Sequence, residues 1–276
     1  MKLCKTIVAV LVTLAILPAT AAVANPADSA GQRAPERIVA AIEDWDCAGG
    51  SPIVLTHGTG GNAQTWAPLV PFLRQAGYCV FAPNYGDGGF GFAGIFATAR
   101  VRESAQFLAS YVDEVLEATG ARKVRIVGHS QGGMMPRYYL RYLGGAAKVE
   151  ELIGIAPSNH GTTTPLAPIA AVLCPACADQ IAGSPFMREL NADGRDTEPG
   201  VDYTVIATAL DEVVIPYESQ FLDGATNIVV QEACPLNLAE HGTLITDPVT
   251  WQWVLHALTT DGAASPAFRP ACLLRA

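Results

Sequence analysis

Charge is what this sequence has little of. Only 16% of its 276 residues are Asp, Glu, Lys or Arg, where an ordinary soluble domain carries roughly 25%. Basic charge is the scarcer kind: 17 Lys and Arg stand against 26 Asp and Glu, for a formal net charge of −9. Gripping a phosphate backbone needs a basic face, so no nucleic-acid partner is expected. Long apolar runs are missing as well. The run at 6–17 covers 12 residues, short of the roughly 20 that cross a bilayer, and no later stretch reads as a membrane span. No internal repeat or linker divides the chain. Half of the residues are nonetheless apolar, which excludes a disordered polyelectrolyte, and the chain reads as one catalytic-sized domain and a monomer.

The short apolar run follows Lys2 and Lys5, is broken by Pro18, and precedes Ala22-Val23-Ala24. That order of basic, apolar and small-x-small is what a signal peptidase reads. A signal peptide over 1–24 and a secreted domain over 25–276 are expected. Cleavage removes Cys4 and leaves Cys47, Cys79, Cys174, Cys177, Cys234 and Cys272. An even number in an exported chain points to disulfides, although sequence alone does not choose their pairing. Cys174-Pro-Ala-Cys177 also fits a redox pair or half a zinc site. No second CxxC completes a zinc site, and a redox pair usually lies beside its fold's first strand, so a local structural disulfide is preferred. No metal and no cofactor is expected.

Strand-like and helix-like periods alternate along the chain. Apolar runs at 53–56, 78–82, 124–127, 152–156, 203–207 and 227–230 read as strands. Between them, apolar residues recur at helical spacing over 66–76, 97–119, 132–143 and about 247–258. Val101, Ala105, Leu108, Val112 and Val115 mark the clearest of these helices, and Gly120 ends it. Strands alternating with helices predict an α/β fold, a mostly parallel sheet covered on both faces.

One junction carries the chemistry. Gly128-His129-Ser130-Gln131-Gly132 fits G-x-S-x-G where a strand passes into a helix, which pushes the Ser130 hydroxyl above the sheet edge. Serine is a weak nucleophile until a base takes its proton. Of the five histidines, His256 lies inside the last helix and reads as structural, and His57 and His129 flank their motifs. His160 follows a strand end and is a candidate pocket residue. His241 lies between the last strand and the last helix, where the order Ser, acid, His puts the base. The orienting acid should end the preceding strand, which selects Asp211 over its rivals Glu212 and Asp223. An oxyanion hole needs two backbone N–H groups. Gln131, after the nucleophile, offers one, and Thr59 in His57-Gly58-Thr59-Gly60-Gly61 the other, its hydroxyl being a candidate third donor.

These motifs, together with Ala207-Thr208-Ala209-Leu210-Asp211-Glu212-Val213-Val214 and Cys234-Pro-Leu before His241, resemble the secreted α/β-hydrolase lipases over about 51–272. The resemblance implies the α/β-hydrolase fold, Ser130, Asp211 and His241 as triad, and Thr59 and Gln131 as oxyanion donors. It also implies the pairings Cys47 with Cys79 and Cys234 with Cys272, leaving Cys174 with Cys177. The stretch around Cys174 has no counterpart in the family's pattern. Residues 162–190, rich in Ala, Pro and Leu, read as a helical cover over an acyl pocket. Leu166, Ile169, Val172, Leu173, Ile181 and Phe186 are the candidate lining, with ordinary packing on the sheet as the alternative. The expected function is a secreted serine carboxyl-ester hydrolase acting on acylglycerols or other apolar esters, with a lipid or other ester substrate, in solution or at an interface, as its partner. A cell-envelope acyltransferase and a non-catalytic binding protein on the same scaffold are the other readings.

Overall fold

The computed structural model describes residues 39–272 apart from 48 and 50; the expected signal peptide at 1–24 lies outside the described residues. Short β-rich apolar runs bounded by glycine turns form a sheet of seven strands. They are β1 (Ile42–Glu43), β2 (Ser51–Thr56), β3 (Tyr78–Ala82), β4 (Val124–His129), β5 (Val149–Ile155), β6 (Asp202–Ala207) and β7 (Thr226–Val229). Their spatial order is β1-β3-β2-β4-β5-β6-β7. Only β1, at the edge, runs antiparallel to its neighbour. This is the α/β-hydrolase arrangement.

The helices are α1 (Val70–Gln75), α2 (Val101–Thr119), α3 (Gln131–Tyr142), α4 (Ala167–Ala170), α5 (Pro175–Asp179), α6 (Pro185–Leu190), α7 (Val230–Ala233) and α8 (Pro248–Thr259). Alternation along the strands feeds two separate cores. Val54 faces α2 and α3 with Val101, Leu108, Val112 and Met135. Its neighbours Ile53 and Leu55 face α1 and α8 with Leu73, Trp253 and Val254.

Local chemistry sets the helix ends. The first expected helix is split: a 3-10 turn at Ala63–Trp66 precedes the shorter α1. Asn62 caps that turn, accepting from Gln64 N–H at 3.0 Å. Helix α2 begins at Val101 rather than 97 because Ala97 sits at φ +53°, and Asp179 accepts from Val101 N–H at 3.0 Å. Gly120 in the left-handed region ends it. Asp247 caps α8 by accepting from Thr250 N–H at 2.8 Å, and Pro248 follows at the first helical position. His256 is structural: its ring stacks on Phe268 at 4.1 Å.

All six described cysteines are paired: Cys47 with Cys79, Cys174 with Cys177, and Cys234 with Cys272. The third links α7 to the C-terminal tail. The chain-entropy account gives the two longer loops about 3–4 kcal/mol each. Among the described residues, no helix is long and apolar enough to cross a membrane.

Candidate active site

The strand ends decide which side chains meet. Ser130 joins β4 to α3 at φ +56° and ψ −124°, a positive φ that few residues other than glycine adopt. Its N–H donates to Ile155 O at 2.8 Å, tying the turn to β5. The flanking glycines are obligatory for a steric reason. A Cβ on Gly128 would stand 2.0 Å from Gly132 O, and one on Gly132 would stand 2.1 Å from Thr56 O. Helix α3 can therefore start hard against β2 and β4, and Ser130 is left lining a cavity of about 420 Å³.

Asp211 follows β6 in the loop where Thr208 Oγ–H donates to Ala239 O at 2.6 Å. That bond joins the acid's loop to the one carrying His241. The Asp211 side chain is fully enclosed. Its Oδ2 accepts from His241 Nδ1–H at 2.8 Å and from Gln220 Nε2–H at 2.9 Å. Its Oδ1 accepts from Val213 N–H and Val214 N–H at 2.9 and 2.7 Å. An Nδ1–H spent on a carboxylate leaves Nε2 as the acceptor of the neutral His241 ring. His241 and Ser130 line the same cavity. Glu212, the rival acid, accepts instead from the His241 backbone N–H at 3.3 Å.

Two further histidines lie under the site. Burial depresses His57 to about 4. Burial, and then the neighbouring His241, depress His129 to about 4. Both are neutral at pH 7 and add no charge beside His241. His57 stacks on Tyr85 at 4.4 Å, whose hydroxyl donates to His57 O.

Thr59 follows β2, and a Cβ on Gly58 would stand 3.1 Å from Ser130 Cβ; that glycine lets the loop lie beside the serine. Thr59 Oγ–H donates to Gln131 Oε1 at 2.6 Å. Gln131 is the first residue of α3, where an N–H has no intrahelical acceptor and the helix dipole favours negative charge. Most of the cavity's exposed surface is apolar, with Leu166, Ala167, Ala170, Val213 and Val214 among its lining beside Thr65, Ser158, Thr162 and Thr164.

Several expected pocket residues lie elsewhere. His160 is drawn out of the lining because Asp196 Oδ1 and Ser219 O hold its two ring nitrogens at 3.1 and 3.0 Å. Leu166 does line the cavity, but Ile169, Val172 and Leu173 are turned to solvent. The short α4 offers one inward stripe, and Ala167 and Ala170 fill it. Phe186 belongs to the core, stacked on Tyr138 at 5.6 Å. Residues 162–190 form three short helices, one flank of which borders the cavity. Two lining or supporting residues have no sequence signal: Gln180, and Gln220, which reaches Asp211 from a loop by tertiary folding.

Residues 50–254 match the family model of class 2 lipases. Curated relatives include triacylglycerol lipases from Pseudarthrobacter phenanthrenivorans and Burkholderia plantarii, each 32% identical over 93 residues. Those alignments take in 32% of this chain and only 27% and 24% of the relatives, about a quarter of their length. Among solved structures, Aspergillus fumigatus lipase B superposes with a TM-score of 0.70 at 23% identity, over 81% of this chain and 55% of that one. The mature form of Bacillus licheniformis lipase BlEst2 gives 0.60 at 20% identity, over 77% of this chain and 93% of that one. At such identities the structures speak for the fold alone. The family match covers most of the chain and contains Thr59, Ser130, Gln131, Asp211 and His241: the chain belongs to the class 2 lipase family of α/β-hydrolases.

Proposed function

We propose that the protein is a secreted serine carboxyl-ester hydrolase that cleaves apolar esters, acylglycerols among them, through an acyl-enzyme. The observation that carries this reading is the enclosed Asp211–His241 pair opening, beside the Ser130 turn, into one apolar cavity. In the first step Ser130 Oγ attacks the ester carbonyl carbon while His241 Nε2 takes its proton. Asp211 keeps the ring in the required tautomer and stabilises the imidazolium. The oxyanion is received by the Thr59 and Gln131 N–H groups. His241 then protonates the leaving alcohol, and water releases the acid by the same steps in reverse.

The substrate class follows from what surrounds these groups. The lining surface is mostly apolar, and residues 162–178 carry no charge. Leu166, Ile169, Val172 and Leu173 are 69–79% exposed, as are Leu236 and Leu238 at 90% and 82%. Unpartnered large apolar side chains of this kind fit a lipid–water boundary. Three disulfides favour an oxidising compartment outside the cell. Turnover of p-nitrophenyl esters of increasing chain length by the purified protein tests the reading. Hydrolysis that Ser130→Ala abolishes is expected; equal turnover by Ser130→Ala would reject it.

A further inference from the structure

Gln180 follows α5 and is held from both ends. Its backbone carbonyl accepts from Thr162 N–H at 2.9 Å. Gly161, at φ +79°, permits that approach, since a Cβ there would stand 2.8 Å from Gln180 O. The residue is 8% exposed, and every polar atom of its side chain is engaged. Oε1 accepts from Ser158 Oγ–H at 2.8 Å. Nε2 faces Thr59 Oγ1 at 2.9 Å, Ala176 O at 3.1 Å and Gln131 Oε1 at 3.2 Å.

Counting hydrogens makes this arrangement informative. Thr59 has one hydroxyl proton, directed at Gln131 Oε1 at 2.6 Å. Because the Gln180 amide donates to the hydroxyl oxygen, the Thr59 proton is turned away from Gln180 and is free to be donated elsewhere. It has two destinations: Gln131 Oε1 in the resting site, and an oxyanion held by the adjacent amides. When it turns to the oxyanion, Gln131 Oε1 loses a donor, and an enclosed acceptor left unpaired is costly. Gln180 Nε2, already 3.2 Å away, takes that place with the hydrogen it held on Ala176 O, which keeps the Gln180 backbone N–H at 3.1 Å. Inverting the Gln131 amide would set two NH2 groups against each other at this separation, so the network has one sense.

We infer that Gln180 is a positioning residue of the oxyanion hole, holding the Thr59 hydroxyl as a donor to the transition state and keeping Gln131 Oε1 paired when the hydroxyl turns away. The inference rests on the ester-hydrolase reading above. It places the effect on the charged transition state rather than on substrate binding, hence on kcat rather than KM.

A double-mutant cycle of Gln180→Met and Thr59→Val tests it, with kcat and KM for p-nitrophenyl butyrate and the thermal midpoint of each variant. Thr59→Val is expected to lower kcat about 10²-fold, the low end for one oxyanion donor. Gln180→Met alone should lower it about tenfold to fiftyfold with KM within about threefold, less than losing the donor outright. In the Thr59→Val background it should cost under about threefold, because its route of action is already gone. Ser158→Ala, which only releases Gln180 Oε1, serves if Gln180→Met does not fold. It should cost about threefold to tenfold in kcat, again not in the Thr59→Val background. Full additivity in the cycle, or an unchanged kcat in Gln180→Met and Ser158→Ala, overturns the inference while wild-type turnover leaves the hydrolase reading in place. No Ser130-dependent turnover by the wild type overturns both.

Discussion

The turn at 128–133 and the segment 162–190 border the same cavity and are built on opposite terms. At the turn there is no room: two glycines approach carbonyl oxygens so closely that a single methyl group would overlap them. The serine between them keeps a positive φ. In the segment, Ile169, Val172 and Leu173 stand in solvent, and small or polar residues such as Thr162, Thr164, Ala167 and Ala170 border the cavity with Leu166. Bond-making chemistry needs atoms placed within a few tenths of an ångström, so the turn tolerates no variation. Contact with an apolar substrate or boundary needs area rather than position, so the exposed stretch 166–173 depends on composition more than on exact placement. Gln180 is the exception that joins the two, a residue of the loose segment with a fixed place at the turn.

The sharpest way to break this contrast is at Ser130, the proposed nucleophile. Ser130→Ala should lower kcat on soluble esters by at least about 10⁴-fold while the thermal midpoint stays within a few degrees, since the hydroxyl has no packing role. Comparable loss of stability and activity together would mean that the serine is merely structural.

Next in size is the backbone of the turn. Gly132→Ala places its Cβ 2.1 Å from Thr56 O and 2.5 Å from His57 O, both backbone atoms that cannot give way, so α3 must move off β2. A loss above about 4 kcal/mol, seen as insoluble protein or a collapsed urea midpoint, is expected. Ala at Gly242, where an added Cβ meets nothing within 4 Å, is the control and should be close to neutral. Equal tolerance at both positions would remove the steric basis of the contrast.

Charge under the turn gives a pH effect of two opposing signs. His57 and His129 are depressed to about 4 from 6.5 by burial. The unfolded chain therefore binds protons that the folded one refuses. Their contribution is full above pH 6.5 and is lost as pH falls toward 4. Glu151, buried on β5 with only a 3.5 Å bond from Thr204 Oγ–H, is raised to about 8 by burial. Its contribution is full below 4.5 and is lost as pH rises through 8. Glu151→Gln should therefore stabilise the protein by a few kcal/mol at pH 8, an order-of-magnitude figure, and by nothing at pH 4.5. Urea titrations of this variant should then show stability falling between pH 6.5 and 4.5 with the histidine contribution unmasked. A flat profile in that window would mean that the two rings are hydrated.

The smallest effects belong to the loose segment. Ile169→Asp and Val172→Asp should leave kcat on a short soluble ester within about twofold, because neither side chain touches the cavity lining. On an emulsified long-chain ester the rate should fall several-fold, as charge opposes contact with an apolar boundary. If the soluble ester suffers equally, these residues reach the site and the segment is less loose than described.

Much of this molecule is readable from local patterns because its chemistry depends on local geometry. Six of the seven strands, the three longest helices α2, α3 and α8, and the turn at Ser130 follow from apolar period and glycine placement, since both act over a few neighbouring residues. The two-residue β1 carries too little pattern to announce itself. Asp211 and His241 are legible because each lies in a loop that follows a strand in a fixed chain order, Asp211 after β6 and His241 between β7 and α8. The parallel pairing of β6 with β7 sends both loops to one side for their 2.8 Å contact.

What the sequence by itself determined is therefore the layered fold, the turn that presents Ser130, and the family pattern into which the cysteines fall. Tertiary structure alone decided the rest. Nothing near His160 in the chain shows that Asp196 and Ser219 draw its ring aside. No periodicity separates Leu166 facing the cavity from Ile169 facing solvent on a helix of one turn. Gln180 and Gln220 reach their partners across loops with no repeat or motif to mark them. A side chain's partners are fixed by where distant backbone segments pass each other, and hydrogen bonds across 49 to 121 residues, such as those of Gln180 to Gln131 and Thr59, leave no trace in local order.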